Sequence, residues 1–463
     1  STSFIYPYIL AVGYLLGFQG LNLGIWAMIV GVMALFGAMI AIYRLCYVFD
    51  APFWLSILMP MVFALTGSVS WHSMSGMETM LMVCFSLWTL VGFVEQRLNL
   101  LIVFAGLLAL TRPEGSIIAV IAVLMFGIGM WLEKWVALRF KNIVLLSVPV
   151  LASGVQPLVN FWATGSFSAS GSQAKSLLGL IPQDWNIITS RIIQNFVRLW
   201  TELFTGYSPS QDLWYLPMLI VPLGLLGLLM LFRKKRLFAL TVVLWLGSLS
   251  VAISTLDTAF WHFKRYQLPL MILFVPLSVI PIIFLLKRFR QSRWFVFGLM
   301  GIGASLTVAM TSQSFLSTYV INVNYVRYQP YAMAKWLTYS TPEDTIVAVH
   351  DVGMMRYMGE HKTLDIVGLT TADAAQYWRN GVGSVAEFLM RNQPDYIASY
   401  GRGHGYGLYM LADTRLYGEP LAEFNVDLDV SKNVALAADT QAMYYPQWET
   451  IITPQSFDDV VGQ

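Results

Sequence analysis

The sequence predicts a mainly α, polytopic membrane protein of about ten transmembrane helices and interfacial helices, carrying a C-terminal extracytoplasmic α/β domain. Three observations lead there. Of 463 residues, 57% are hydrophobic and only 12% charged, about half the charged share of an ordinary soluble protein. The chain holds 16 Trp and 28 Phe, and indole rings concentrate at membrane–water boundaries. The net charge of +2 hides a split: residues 313–463 carry 17 acidic and 9 basic side chains, so the acidity sits in the last third. Such asymmetry points to two regions in different surroundings. Together these features exclude a soluble enzyme, a disordered chain and a nucleic-acid binder.

A spanning helix needs about 20 mostly apolar residues. Ten segments qualify, at approximately 25–43, 53–69, 77–94, 98–111, 115–132, 142–163, 214–232, 237–254, 267–286 and 294–312. Ahead of them, Phe4 to Phe18 is apolar but short and contains Pro7, which suggests a half-inserted or interfacial helix. The two cysteines, Cys46 and Cys84, fall inside apolar runs and carry no information about redox compartment.

Orientation follows from the positive-inside rule. One set of loops collects Arg44, Arg97, Lys134, Arg139, Lys141, Arg233 to Arg236, Lys287, Arg288, Arg290 and Arg293. The opposite loops hold only Arg112, Lys175, Arg191, Arg198, Lys264 and Arg265. The first set is therefore expected on the cytoplasmic side, and the acidic C-terminal region beyond the membrane. The expected division is a helical domain over 1–318 and a soluble domain over 319–463, in a bacterial-type inner membrane.

The long loop at 164–213 contains Trp185, Ile188, Ile192, Phe196, Leu199 and Leu203, a spacing that forms one apolar stripe on a helix. Arg191, Asn195, Arg198 and Glu202 fall between them. Such a helix lies in the interface, with its basic residues available to phosphates, or simply covers the bundle. In the C-terminal region, β-rich runs at Thr345–His350, Thr363–Val367 and Tyr396–Ser399 alternate with a helical pattern at Val385–Met390. The glycine cluster Gly401-Arg402-Gly403-His404-Gly405 lacks the strand, Lys-Ser/Thr and helix context of a phosphate loop.

Four polar groups stand at the expected outer face. These are Ser70 to Glu78, Thr111-Arg112-Pro113-Glu114-Gly115, Lys175, and His262-Phe263-Lys264-Arg265-Tyr266. Arginine offers phosphate a planar fork of N–H donors, while lysine acts as a mobile point charge. Converging cations at an interface suit a lipid with a phosphate head. Arg112-Pro113-Glu114 equally fits a helix boundary with a local ion pair, and His72 and His262 fit hydrogen-bonded structural positions better than metal sites. There is no HExxH, CxxC or Gly-x-Ser-x-Gly motif, so metalloprotease and serine-hydrolase readings have no support. A transporter would need ionisable residues within the spans, and almost none are there.

Ser75-Gly76-Met77-Glu78-Thr79 and Leu110-Thr111-Arg112-Pro113-Glu114-Gly115 resemble motifs of the membrane GT-C glycosyltransferases. The likeness is greatest to the bacterial group of terminal arabinofuranosyltransferases and mannosyltransferases. Ser3-Phe4-Ile5-Tyr6-Pro7, Ala174-Lys175, Arg265-Tyr266, Asp351-Val352-Gly353 and Leu364 to Leu369 resemble further pieces of that group in the same order. The resemblance implies transfer of a sugar from a polyprenyl-phosphate donor to a glycan, lipid or protein acceptor on the outer membrane face. The substrate-binding candidates it leaves are Glu78, Arg112, Glu114, Lys175, His262, Arg265 and Tyr266. No cofactor is called for, although Glu78 and Glu114 could position a divalent metal. The loop Ser168-Ala169-Ser170-Gly171-Ser172 departs from the group's Pro-Asn-Thr.

The group's catalytic base is an acid in the loop after its first span, expected here upstream of Ser1; no Asp-Asp or Asp-Glu pair in the first 180 residues replaces it. Three expectations follow: a preceding helix and loop, a partner membrane protein that supplies them, or a non-catalytic scaffold subunit. Membrane lipids are expected partners in each case.

Overall fold

The computed structural model describes residues 3–289, 293–400 and 416–448. The chain divides into two compact units, one made of residues 2–168 and 185–319, the other of 169–184 and 320–463. The glycine cluster at 401–405 lies outside the described residues.

The first unit is helical. It begins with α1 (Ile5–Leu15), α2 (Asn22–Val48), α3 (Phe53–Leu65), α4 (Gly67–Met74), α5 (Thr79–Val94), α6 (Leu98–Thr111), α7 (Pro113–Leu132) and α8 (Phe140–Thr164). In the other unit, α9 (Ser170–Lys175) follows. The helical unit resumes with α10 (Trp185–Thr205), a short hairpin of β1 (Tyr207–Ser208) and β2 (Leu213–Trp214), then α11 (Ile220–Leu231), α12 (Arg236–Ser254) and α13 (Leu268–Arg288). The last helix to begin in this unit is α14 (Arg293–Val326), which contains the expected span at 294–312.

Among the described residues, α2, α7, α8, α12 and α13 are long and apolar enough to cross a membrane. A sixth crossing arises if α3 and α4, which meet at 64°, count as one broken span. The expected spans at 77–94, 98–111 and 214–232 correspond to α5, α6 and α11, which have 16, 14 and 12 residues. These are short of the length needed for an upright crossing. Hydropathy alone reads through the turn at Glu78 and through the strand end at Trp214, which lie outside the helices.

Helix packing relies on close backbone approach. A Cβ at Gly31 of α2 would stand 2.1 Å from the carbonyl oxygen of Ser73, and one at Gly227 of α11 would stand 2.0 Å from that of Leu277 in α13. Both positions admit only hydrogen. Cys46 and Cys84 are buried thiols in α2 and α5.

The second unit continues from the end of α14 through a π-helical turn at Arg327–Tyr331 into α15 (Ala332–Ser340). There follow β3 (Ile346–Val349), α16 (Val352–Gly359), β4 (Lys362–Asp365), α17 (Ala374–Arg379), α18 (Val382–Asn392), β5 (Tyr396–Tyr400), β6 (Tyr417–Asn425) and β7 (Thr440–Pro446). The sheet order is β4-β3-β5-β7-β6. Strands β3, β4 and β5 are parallel, and β7 runs antiparallel to both β5 and β6. Alternate residues of each strand face opposite sides. Val347, Val349, Ala398 and Met443 pack with α15 and α16, while Ala348, Ile397 and Tyr444 pack with Val385 and Leu389 of α18. Both faces are covered, as a parallel sheet requires.

Two of the motif segments have structural explanations here. The buried Asp365 carboxylate accepts from the backbone N–H of Val367 (2.9 Å), Gly368 (3.1 Å) and Thr370 (2.7 Å) and from the Thr370 hydroxyl (3.1 Å). It thereby organises the turn after β4. Asp351 takes bonds from His350 and from Gln441 on β7. Burial alone would raise its pKa, but these two partners, His350 foremost, hold it below the usual carboxylate range.

Replacing Asp365 with Ala would leave those N–H groups without an acceptor and should destabilise the C-terminal unit by roughly 3 kcal/mol, read as a lowered thermal midpoint. In the helical unit, Gly227→Ala should cost roughly 1–3 kcal/mol through overpacking. Gly247→Ala, at a position in α12 with open space around it, should leave the midpoint unchanged or raised.

Candidate functional site

The Arg112-Pro113 pair sets the centre of the site. Proline at the first position of α7 fits a helix start, and it forces the preceding residue out of the helical region. Arg112 accordingly sits extended (φ −157°, ψ 156°) between α6 and α7. Its side chain is buried between three elements. Nε and Nη2 form a fork on the Glu114 carboxylate at 3.2 and 3.0 Å, and Nη1 donates to Oε1 of Glu78 at 2.9 Å. The guanidinium carbon lies 5.1 Å from the centre of the Tyr266 ring.

Glu78 stands just before α5, after a turn in which Gly76 takes φ +69°. Its Oε1 receives a second arginine, Nη2 of Arg265 at 2.5 Å. Two carboxylates and two guanidiniums thus form one neutral cluster. Burial of four charges is tolerable only because every one faces an opposite charge. Glu114 gains further from the first turn of α7, where the helix dipole favours an anion. Tyr6, from the Ser3–Pro7 motif, donates its hydroxyl to the Gly76 carbonyl at 2.6 Å and lies within reach of the Glu78 and Arg265 charges.

Of the residues expected from the sequence, Glu78, Arg112, Glu114, Arg265 and Tyr266 therefore come together. His262 is half-buried one turn earlier, with its carbonyl accepting from the Arg265 N–H at 3.2 Å and its ring beside Trp261. Lys175 ends α9 and belongs to the other compact unit. Both oxygens of Glu114 meet Arg112, and Oε1 of Glu78 meets Arg112 and Arg265. No group of three metal-ligating side chains occurs among the described residues.

The guanidinium of Arg265 differs from that of Arg112. Arg112 is engaged through all three nitrogens, whereas the buried Nε of Arg265 has no hydrogen-bond partner among the described residues. Its presentation depends on an unusual turn. His262, Phe263 and Lys264 all have positive φ, at 55°, 47° and 67°. Each costs roughly 1–2 kcal/mol for a residue with a Cβ, so the surroundings must enforce the shape. The buried His72 bonds the Phe263 carbonyl through Nε2 at 3.1 Å, and the Phe263 ring packs edge-on against Trp71 and Phe315. Lys264 is buried and donates to Oε2 of Glu202 on α10.

Sequence reasoning missed this last contact. The pattern left the polar seam of α10 either available to phosphates or on a helix that covers the bundle; here Arg198 bonds Glu202 at 2.8 Å and Ser210 at 2.6 Å. Asn195 donates to the carbonyls of Ser254 and Leu256 at 3.1 and 3.2 Å, and Arg191 pairs with Asp257 at 3.4 Å. The seam at 191, 195, 198 and 202 is a row of polar residues, and only the fold shows that it docks on the segment 254–264. The i, i+4, i+7, i+11 spacing was the available signal. Ile188, Leu199 and Leu203 of the expected apolar stripe are buried, whereas Trp185 and Phe196 are exposed.

Burial lowers the pKa of Lys264 from the ordinary 10.5 to about 8, with Glu202 opposing the shift. Between those values the unfolded chain binds the proton and the folded chain does not. This group's contribution to stability therefore rises as pH increases from about 8 to 10.5. The thermal midpoint of the wild type, measured relative to a Lys264→Met/Glu202→Gln double variant, should climb across that window. A flat difference would refute the assignment.

A family model described as a domain of unknown function (DUF8728) matches residues 321–454. No curated protein matches the chain in sequence. Solved structures do resemble it. The oligosaccharyltransferase AglB from Archaeoglobus fulgidus, in complex with an inhibitory peptide and a dolichol-phosphate, has a TM-score of 0.53 at 12% identity, covering 97% of this chain and 67% of that one. The A. fulgidus oligosaccharyltransferase tethered to an acceptor peptide gives 0.50 at 12% identity over 90% of this chain, which spans 64% of that protein's length. ArnT from Cupriavidus metallidurans in the apo state gives 0.51 at 12% identity, covering 96% of this chain and 88% of that one. These neighbours are GT-C glycosyltransferases with polyprenyl-phosphate donors, and the likeness at this identity is one of architecture: the chain has the GT-C fold that its motifs resemble.

Proposed function

We propose that the chain transfers a sugar from a polyprenyl-phosphate-linked donor to an acceptor hydroxyl or amide at a membrane surface. The observation that carries this reading is Arg265: a guanidinium oriented by Glu78, with its buried Nε unengaged among the described residues, in a chain with the GT-C fold. That edge suits a phosphate oxygen.

In this reading the acceptor atom attacks the anomeric carbon as the bond from that carbon to the phosphate oxygen breaks. The polyprenyl phosphate leaves with the electron pair, and the acceptor's proton passes to a general base. Arg265 stabilises the charge that grows on the leaving phosphate. Arg112 and Tyr266 are positioning residues, because Arg112 spends its donors on Glu78 and Glu114. Lys175 remains a candidate for substrate contact on the resemblance alone, and His262 on its place among the polar residues of the expected outer face.

The same reading keeps the ten-span topology, the division at 318/319, a bacterial-type inner membrane and an extracytoplasmic C-terminal domain. The positive-inside distribution of Lys and Arg supports the orientation.

Arg265→Ala should weaken binding of undecaprenyl phosphate at least tenfold, measured by native mass spectrometry of the detergent-solubilised chain. Arg265→Lys should recover part of the loss, because a point charge replaces only some of the fork. Unchanged lipid-phosphate affinity in Arg265→Ala would remove the residue from the site.

A further inference from the structure

At the other end of α2 from the ion cluster, a groove of about 490 Å³ opens between Tyr43, Arg44, Tyr47 and Val48 of that helix and Glu95 and Arg97 after α5. The turn between the two latter residues is tight, with Gln96 at φ +58° and the Arg97 N–H bonded to the Gly92 carbonyl at 2.8 Å. It places one acid and one base side by side at the groove.

Glu95 organises both arginines. Its Oε1 accepts from Nε and Nη2 of Arg44 at 3.0 and 2.7 Å, and its Oε2 lies 2.8 Å from the same Nη2 and 3.1 Å from Nε of Arg97. The acid is 11% exposed, the bases 37% and 62%. Two guanidiniums held by one carboxylate leave a net positive charge. The terminal nitrogens of Arg97 make no further ion pair among the described residues. The groove is thus cationic, flanked by two tyrosines and pre-ordered by a nearly buried acid.

The helix face leading to it is apolar and uncovered. Ile25, Ile29, Met33, Phe36, Ile40 and Tyr47 are all exposed, and their spacing keeps them on one side of α2. The strip runs about 33 Å at 1.5 Å per residue, close to the thickness of a bilayer's hydrocarbon core. It ends at Arg44 and Tyr47.

We propose that this groove binds an anionic phospholipid, with its phosphate between Arg44 and Arg97 and its acyl chains along the exposed strip of α2. The strip favours a lipid over a free phosphate, and the uncompensated charge favours an anionic lipid over a zwitterionic one. The site is separate from the donor site. A Cβ at Gly76, two residues before Glu78, would lie 3.6 Å from the Ala27 methyl, and Ala27 stands about 26 Å from Arg44 along the helix axis.

The test uses the full chain in non-ionic detergent, with phosphatidylglycerol and phosphatidylcholine added in equal amounts and bound lipid read by native mass spectrometry. The wild type should retain phosphatidylglycerol roughly fivefold over phosphatidylcholine, about the effect of one basic residue near an anionic surface. Arg97→Gln, at an exposed position, should bring the ratio close to one, and Lys141→Gln, an exposed base outside the groove, should leave it unchanged. Raising the salt concentration should lower the wild-type ratio, a readout that needs no variant. An unaltered preference in Arg97→Gln, or no preference in the wild type, would overturn the proposal. So would displacement of phosphatidylglycerol by millimolar inorganic phosphate, which would mark a plain anion site.

Discussion

The charge balance of the buried cluster Glu78–Arg112–Glu114–Arg265 constrains most of what surrounds it. Removing water from four ionised groups is costly, and the cost is recovered only if each carboxylate faces a guanidinium at hydrogen-bonding distance. That requirement pins three chain connections to one point: the turn before α5, the α6–α7 junction and the segment leading into α13. Tyr6 ties α1 to the same place through the Gly76 carbonyl. Helices α5 and α6, each too short for an upright crossing, end where the charges need them to end.

A second constraint acts through the turn at 262–264. Three successive residues with side chains hold left-handed backbone, a shape that would relax if it were not fixed from several sides. His72, Trp71 and Phe315 hold Phe263, and α10 holds Lys264 through Glu202. The amphipathic helix is thus part of the scaffold that presents Arg265. Its polar seam is spent on the protein, while Ile193, Val197 and Phe204 face outward.

Glu78 and Glu95 show how the same residue types serve opposite ends of the helical unit. Each carboxylate receives two arginines. At Glu78 the charge is neutralised with the help of Glu114, and the buried Nε of Arg265 has no hydrogen-bond partner among the described residues. At Glu95 no second acid pairs with the two arginines among the described residues, and Arg97 is exposed, so the local charge stays positive. The number of carboxylates and the depth of burial decide the difference.

Composition and hydropathy by themselves determined the helical membrane class, the α/β character of the C-terminal region and the approximate places of most helices, because apolar run length and strand-like alternation are local properties. The motifs around Glu78, Arg112 and Arg265 were also legible, since Arg-Pro at a helix start and rare charges in apolar surroundings stand out in one dimension. Strands β6 and β7 were missed because long-range pairing stabilises them, and the short helices α15 and α16 because their packing on the sheet does. The chain alone gave no sign that all three nitrogens of Arg112 are engaged while the buried Nε of Arg265 has no partner among the described residues, or that Lys264 finds Glu202 some 60 residues away in sequence. Which ions pair depends on distances between elements far apart in the chain, and only packing in three dimensions sets those distances.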